Sequence, residues 1–182
     1  MSKQKILNIT YIALMASVIC VCSWISIPTT VPFTMQTFAI FAAICLIGAK
    51  KAAISVLIYI LLGCCGLPVF AGFSSGFGRI LGPSGGYIVG FLIICAAYGI
   101  MTKFFGTGKI IRFISLAAGL LLCYAAGTLW YVAVSFHSIS PEYFLKSLKI
   151  CVIPFILPDL VKAALAMSLS EIIKKHAVEY SL

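Results

Sequence analysis

Apolar residues fall into six long runs along this chain, and turn residues or charges separate the runs. The runs cover residues 6–27, 35–49, 52–71, 86–101, 110–136 and 148–173. A helix that crosses a bilayer needs roughly 20 mostly apolar residues. The pattern therefore predicts an all-α integral membrane protein with six transmembrane helices, which form a single membrane domain over residues 1–182.

Composition supports this assignment and limits the classes of function. Of the 182 residues, 63% are hydrophobic and 9% are charged, whereas about a quarter of the residues in a soluble domain are charged. Because no G-x-x-x-x-G-K-[ST] phosphate loop occurs, we expect the chain not to use ATP by that route. One aspartate, three glutamates and eight cysteines without metal-ligand spacing favour neither an enzyme nor a metal site.

Most cationic residues lie at those ends of the apolar runs that would face the same side of the membrane. The net charge is +9, but no basic stretch with interleaved aromatic residues indicates nucleic-acid binding. With a cytoplasmic N-terminus, nine cations lie inside, Arg79, Lys146 and Lys149 lie outside, and Lys162 is within the membrane. The positive-inside rule favours this orientation, and an even number of spans then puts both termini in the cytoplasm. Arg79 is expected to be a solvated loop charge.

The connection between the third and fourth runs has an unusual composition. It holds seven glycines from Gly66 to Gly86, together with the aromatic residues Phe70, Phe73, Phe77 and Tyr87. A flexible linker would be rich in Gly and Ser and polar, and glycine also lets a backbone approach a ligand closely. We therefore predict a structured lid or a re-entrant segment on the outer side.

The stretch PDLVKAAL, residues 158–165, carries the most informative charges. Asp159 and Lys162 are three positions apart, so they share one face of a helix. Pro158 suits the first turn of a helix, which would put Asp159 at the favourable end of the helix dipole. Ionisable residues inside a membrane mark substrate sites by default. We favour a ligand site open to the outside, and the alternative is an internal ion pair that fixes the helix to a neighbour.

Two other features are compatible with a functional or a structural role. Gln36 follows VPFTM at the outer start of the second run, and its amide is either part of the site or a membrane-interface group. Ala13 and Ser17, like Ala16 and Cys20, are small residues four positions apart. Such faces let helices approach closely, either within the chain or with a partner membrane protein.

Four segments together carry a resemblance to a known family. They are VPFTMQTFAIFAA, LIYILLGCCGLPVFAGF, LGPSGGYIVGF and PDLVKAALA. They resemble the BioY family, the biotin-specific substrate-binding (S) components of energy-coupling factor (ECF) transporters. The resemblance implies a six-helix, ECF S-component-like protein of the bacterial cytoplasmic membrane. It also implies high-affinity biotin capture and uptake rather than enzymatic activity.

The resemblance further implies partners and site residues. Family members associate with a transmembrane T component and two ABC ATPase subunits, so the partners use ATP and this chain needs no cofactor. The family's polar binding pair matches Asp159 and Lys162. Its first-helix contact for the T component falls on Ala13 and Ser17, where serine replaces the family's second alanine.

Biotin has a ureido ring with two N–H groups and one carbonyl, an apolar thioether ring and an anionic tail. We expect Asp159 to accept from the ureido N–H groups, Lys162 to pair with Asp159 or donate to the ligand, and Gln36 to add a hydrogen bond. An apolar slot over the ring is expected from Phe70, Tyr87 and Gly86. The alternatives are an S component for another vitamin and an autonomous biotin transporter that is coupled to protons through Asp159.

Overall fold

The structure, a computed structural model, describes residues 2–136 and 140–179, which form a bundle of helices. The helices are α1 Lys3–Trp24, α2 Gln36–Ile47, α3 Ala49–Cys64, α4 Phe77–Leu81, α5 Gly85–Phe105, α6 Lys109–Phe136, α7 Pro141–Cys151 and α8 Ile153–Glu179. A short antiparallel ribbon, β1 Ser26–Ile27 and β2 Phe33–Thr34, lies between α1 and α2. The predicted all-α class is confirmed.

Four helices in the described part of the chain, α1, α5, α6 and α8, are long and apolar enough to cross a membrane. By contrast, α2 has 12 residues and α3 has 16, fewer than the roughly 20 that a span usually needs. Nine of the 12 residues of α2 are buried, because α2 packs against α1, α3 and α8. A short helix that is enclosed by protein does not have to match the thickness of the lipid.

Glycines allow α5 and α6 to pack closely. A side-chain carbon added at Gly86 would lie 2.3 Å from Cβ of Trp130. One added at Gly127 would lie 2.4 Å from the ring of Tyr87. Small residues at a crossing bring two backbones together and increase van der Waals contact, which is a main source of helix association in membranes.

Several helix ends that carry cationic residues lie at one end of the bundle, which we call the basic end. Lys51 Nζ in α3 donates to Asn8 Oδ1 in α1 at 2.7 Å. Lys109 Nζ at the start of α6 lies 2.8 Å from Glu171 Oε2 near the end of α8. Lys51 and Lys109, two of the cations that the charge pattern assigned to the same side, thus each link two helices.

The glycine-rich connection at the other end is folded, as its composition predicts. It contains a 3₁₀ turn, Ala71–Phe73, followed by α4. The indole Nε1 of Trp24 donates to the carbonyl of Pro68 at 2.9 Å, and that of Trp130 donates to the carbonyl of Gly82 at 3.0 Å. These two bonds attach the connection to the ends of α1 and α6.

Two predicted boundaries were wrong. The third run was expected to continue to residue 71, but α3 ends at Cys64 and Gly66 adopts a φ of 99°, which a right-handed helix does not allow. The last run is two helices, because Pro154 has no N–H with which to continue α7 into α8. Pro158 consequently lies inside α8 rather than in its first turn, and Asp159 is not at the favourable end of the helix dipole.

Candidate functional site

A cavity lies at the end of the bundle opposite the basic end, beside the glycine-rich connection. Its empty space is about 670 Å³ when the open mouth of the cavity is counted. Its wall is formed by β2, the start of α2, the connection, and parts of α5, α6, α7 and α8. The cavity therefore collects side chains that are distant in the sequence.

A buried ion pair on α8 forms the centre of the polar wall. Lys162 Nζ lies 2.7 Å from Asp159 Oδ1, and both residues line the cavity. The spacing of three positions brings the two side chains to one face, as predicted. Removing two charges from water is costly, and the cost is offset only where further hydrogen bonds satisfy both groups.

Asp159 accepts two more hydrogen bonds from other helices. The hydroxyl of Thr37 in α2 donates to Oδ1 at 2.9 Å, and the hydroxyl of Tyr124 in α6 donates to Oδ2 at 2.6 Å. Together with Lys162 these groups supply three donors to a carboxylate, which has about four acceptor positions. Asp159 therefore keeps one acceptor position for a ligand N–H group.

Lys162 uses all its donors within the protein. Besides Asp159, its Nζ donates to the carbonyl of Thr34 at 2.7 Å and to the hydroxyl of Thr37 at 3.3 Å. An ammonium has three N–H donors, so none is left over. Nζ also lies 3.8 Å from the centre of the Phe33 ring, which is a favourable cation–π distance. Lys162 thus pairs with Asp159 and ties α8 to β2.

Gln36 is buried and also lines the cavity. Its Oε1 accepts from the hydroxyl of Thr34 at 3.0 Å, and its Nε2 donates to the hydroxyl of Tyr59 at 2.6 Å. An amide nitrogen carries two hydrogens, so one N–H has no partner among the described residues. The burial of Gln36 favours a place in the site over a position at the membrane interface.

Tyr87 lines the cavity, whereas Gly86 does not. The hydroxyl of Tyr87 lies 2.9 Å from Thr128 Oγ1 in α6, which holds the tyrosine ring in the wall. Gly86 faces Trp130, where any side chain would clash. Its role in this structure is the close packing of α5 and α6 rather than contact with the cavity.

Phe70 was expected to cover a ligand, but its ring points into the core. It is fully buried and packs edge-on against Tyr59, with ring centres 5.4 Å apart. The absence of a side chain at Gly63 makes room for this ring, because a carbon added there would lie 2.0 Å from Phe70 Cζ. The next residue, Ala71, lines the cavity instead.

Three residues of the site were not identified from the sequence. Thr37 and Tyr124 are 122 and 35 positions from Asp159, and a tyrosine within an apolar run is typical of an ordinary core residue. Arg79, expected to be a solvated loop charge, lines the cavity. The side chain of Arg79 makes no ion pair or hydrogen bond with any residue that the structure describes.

The two small-residue pairs of α1 lie on different faces. Ala16 and Cys20 are 3% and 7% exposed, so they pack within the bundle. Ala13 and Ser17 are exposed, and the hydroxyl of Ser17 donates to the carbonyl of Ala13 at 3.1 Å. Of these two faces of α1, the Ala13–Ser17 face is the one available to a partner.

Comparison of the sequence with protein families gives a match to the BioY family over residues 1–178. A Pyrococcus horikoshii protein named "Probable biotin transporter BioY" is 38% identical over 170 residues, which are 92% of this chain and 96% of that protein. The "Biotin transporter BioY" of Thermotoga maritima is 34% identical over 174 residues, which are 90% of this chain and 93% of that protein.

A solved structure has a similar fold. It is described as "Crystal structure at 2.1 A of the S-component for biotin from an ECF-type ABC transporter". The TM-score is 0.80 at 27% sequence identity, and the similarity covers 96% of this chain and 95% of the other. The shared fold therefore includes the helices that form the cavity.

Proposed function

Because this chain belongs to the BioY family, we propose that it binds biotin with high affinity and acts in biotin uptake as the S component of an ECF-type ABC transporter. It is not an enzyme. The observation that carries the proposal is a cavity whose polar wall is centred on the buried Asp159–Lys162 pair. A buried pair of charges without a ligand to bind would be a costly way to join two helices.

The polar groups that remain available complement a ureido ring. Asp159 has one acceptor position for a ureido N–H, and the hydroxyl of Tyr124 can accept from the other N–H while it donates to Asp159. The free N–H of Gln36 suits the ureido carbonyl. Lys162 acts as a positioning residue, because its donors hold Asp159 and the carbonyl of Thr34.

The rest of biotin meets apolar walls and one cation. Phe33 and Phe155 stack at 5.6 Å between ring centres and line the cavity with Tyr87, which suits the thioether ring. Arg79 is on the same wall and has no described ionic partner. A guanidinium forms strong, directional bonds with a carboxylate, so Arg79 is our candidate for binding the anionic tail.

The chain is a multi-pass membrane protein, and we infer six spans: α1, α2, α3, α5, α6 and α8. The enclosure of α2 by its neighbours supports its inclusion despite its length. We infer a single domain over residues 1–182, because the described long helices share one core. The basic end, and with it both termini, would face the cytoplasm of a bacterial cell, and the cavity would open to the outside.

The energy for transport would come from partner subunits. We infer a transmembrane T component and two ABC ATPase subunits, with ATP used there and no cofactor in this chain. The exposed Ala13–Ser17 face of α1 is the candidate contact for the T component, since small residues let a partner helix approach closely.

Equilibrium binding of biotin to the detergent-purified chain, with riboflavin and thiamine as competitors, tests the proposal. We expect saturable biotin binding that neither competitor displaces. Displacement by another vitamin would instead indicate an S component of different specificity. Absence of biotin binding in a folded sample would contradict the proposed function, and Asp159 and Lys162 would then be a structural pair.

A further inference from the structure

A second cavity, here called the lipid-facing groove, opens on the outside of the bundle along the seam between α3 and α5. Its apolar lining is formed by Ala53, Leu92, Cys95, Ala96 and Ile100, and Lys50 and Lys103 lie at its basic end. It shares no residue with the cavity that contains Asp159. The groove is therefore a separate feature of the membrane-facing surface.

The groove follows one face of α5. Leu92, Ala96, Gly99 and Lys103 succeed one another at spacings of three or four positions, so they are aligned along the helix. Residues 92 to 103 span about 16 Å at a rise of roughly 1.5 Å per residue. Since the hydrocarbon core of a bilayer is roughly 30 Å thick, the groove has the length of one leaflet.

The close approach of α3 to α5 defines the basic end of the groove. A carbon added at Gly99 would lie 3.2 Å from Cβ of Ala49. Lys50 follows Ala49 in α3, and Lys103 lies one turn after Gly99 in α5. The two lysines therefore flank the same opening at the basic end of the bundle.

Lys50 and Lys103 differ from Lys51 and Lys109 at the same end. Lys51 is bonded to Asn8, and Lys109 is paired with Glu171. Lys50 and Lys103 are exposed, and their side chains have no hydrogen bond or ion pair with any residue in the described part of the chain. Two unpaired cations beside a lipid-facing apolar groove complement a molecule with an anionic head and an apolar chain.

We propose that the lipid-facing groove binds one anionic phospholipid from the leaflet on the basic side. The phosphate contacts Lys50 and Lys103, and one acyl chain lies along the apolar face of α5. This site is additional to the biotin site and does not depend on it. Its occupant comes from the bilayer rather than from solution, because the groove opens toward lipid along its length.

Native mass spectrometry of the full chain, with phosphatidylglycerol or phosphatidylcholine of identical acyl chains as the probe, tests this proposal. We expect the wild-type chain to retain phosphatidylglycerol in preference to phosphatidylcholine. The double variant Lys50→Gln/Lys103→Gln should bind phosphatidylglycerol about tenfold more weakly. Ala96→Phe, which keeps both charges but fills the groove, should also reduce retention.

Lys174→Gln/Lys175→Gln is the matched control, because it removes two exposed lysines from the same end outside the groove. It should leave phosphatidylglycerol binding unchanged. An unchanged Tm verifies that each variant is folded. Equal retention of the two lipids, an equal loss in the control, or full retention by either groove variant would overturn the proposal.

Discussion

Two ion pairs, one within α8 and one between α6 and α8, have almost the same length but very different surroundings. Lys162 and Asp159 are 2.7 Å apart, and their side chains are 7% and 5% exposed. Lys109 and Glu171 are 2.8 Å apart, and their side chains are 77% and 37% exposed. Water and salt weaken an exposed pair, whereas the loss of one partner from a buried pair leaves an uncompensated charge. The bond length alone therefore does not indicate the importance of either pair.

The neighbours of each pair suggest what it does. The buried pair is bonded to Thr34, Thr37 and Tyr124 and faces a cavity. The exposed pair is joined by Arg112, whose Nη1 lies 3.6 Å from Glu171 Oε1, and it connects the start of α6 to the end of α8. We interpret the buried pair as part of a binding site and the exposed pair as a link between helix ends.

The largest expected difference between the pairs is in stability. Lys162→Met leaves Asp159 buried without its cation and leaves the carbonyl of Thr34 without its donor. We expect a destabilisation of about 3–5 kcal/mol, measured by reversible unfolding in detergent. Lys109→Met removes the corresponding cation of the exposed pair and should change the unfolding free energy very little.

A double variant separates charge burial from loss of packing. Asp159→Asn/Lys162→Met removes both charges, so it should recover much of the stability that Lys162→Met loses. It should not recover biotin binding, because the anionic acceptor of the ureido N–H is gone. Wild-type stability in Lys162→Met would show that the pair is not buried in the folded protein.

A smaller effect is expected at Tyr124. Tyr124→Phe removes one of the three donors to Asp159 and one acceptor for the ureido ring. A hydrogen bond to a charged group contributes about 1.5–3 kcal/mol, so we expect biotin affinity to fall by roughly tenfold with the fold intact. Tyr131→Phe, on the same helix and outside the cavity wall, is the control and should bind biotin normally. Equal affinities of the two variants would count against the network around Asp159.

The contribution of Arg79 depends on the charge of the ligand. Arg79→Gln should weaken binding of biotin about fivefold, as expected for a partly exposed ion pair. It should have little effect on binding of biotin methyl ester, which lacks the carboxylate. Lys149→Gln, an exposed cation on α7 outside the cavity, should affect neither ligand. A similar loss for acid and ester would assign Arg79 a role other than binding the tail.

The smallest effect is expected from the exposed pair. Glu171→Gln removes the anion shared by Lys109 and Arg112. We expect a decrease in Tm of no more than about 2 °C, which becomes smaller as salt is added. Differential scanning fluorimetry at two salt concentrations measures it. A large decrease that salt does not alter would contradict our interpretation of this pair.

The sequence predicted the parts of the site that depend on short-range spacing. Asp159 and Lys162 are on one helix, so their spacing alone places them together. Thr37 and Tyr124 reach Asp159 only through the packing of α2 and α6 against α8, which no local pattern encodes. Phe70 was misplaced because an aromatic residue in a glycine-rich loop can point toward a ligand or into the core, and the space at Gly63 decides between them.

The helix boundaries, too, were predicted where they depend on local sequence and missed where they depend on long-range packing. The apolar runs predicted the helices, because burial and lipid exposure both require apolar residues. The prolines were harder to interpret, since Pro154 and Pro158 are four positions apart and either one suits a first turn. The structure puts Pro154 near the start of α8 and Pro158 inside it. The packing of α7 and α8 against α6 is a long-range property that the sequence does not display.

The equilibrium dissociation constant of biotin for Asp159→Asn, compared with that for Glu171→Gln, tests the central claim most directly. Both variants replace a carboxylate of α8 with its amide, and only one of the two carboxylates faces the cavity. We predict at least a tenfold loss of affinity for Asp159→Asn and no change for Glu171→Gln. Unchanged affinity in both variants, or an equal loss in both, would contradict a biotin site at Asp159.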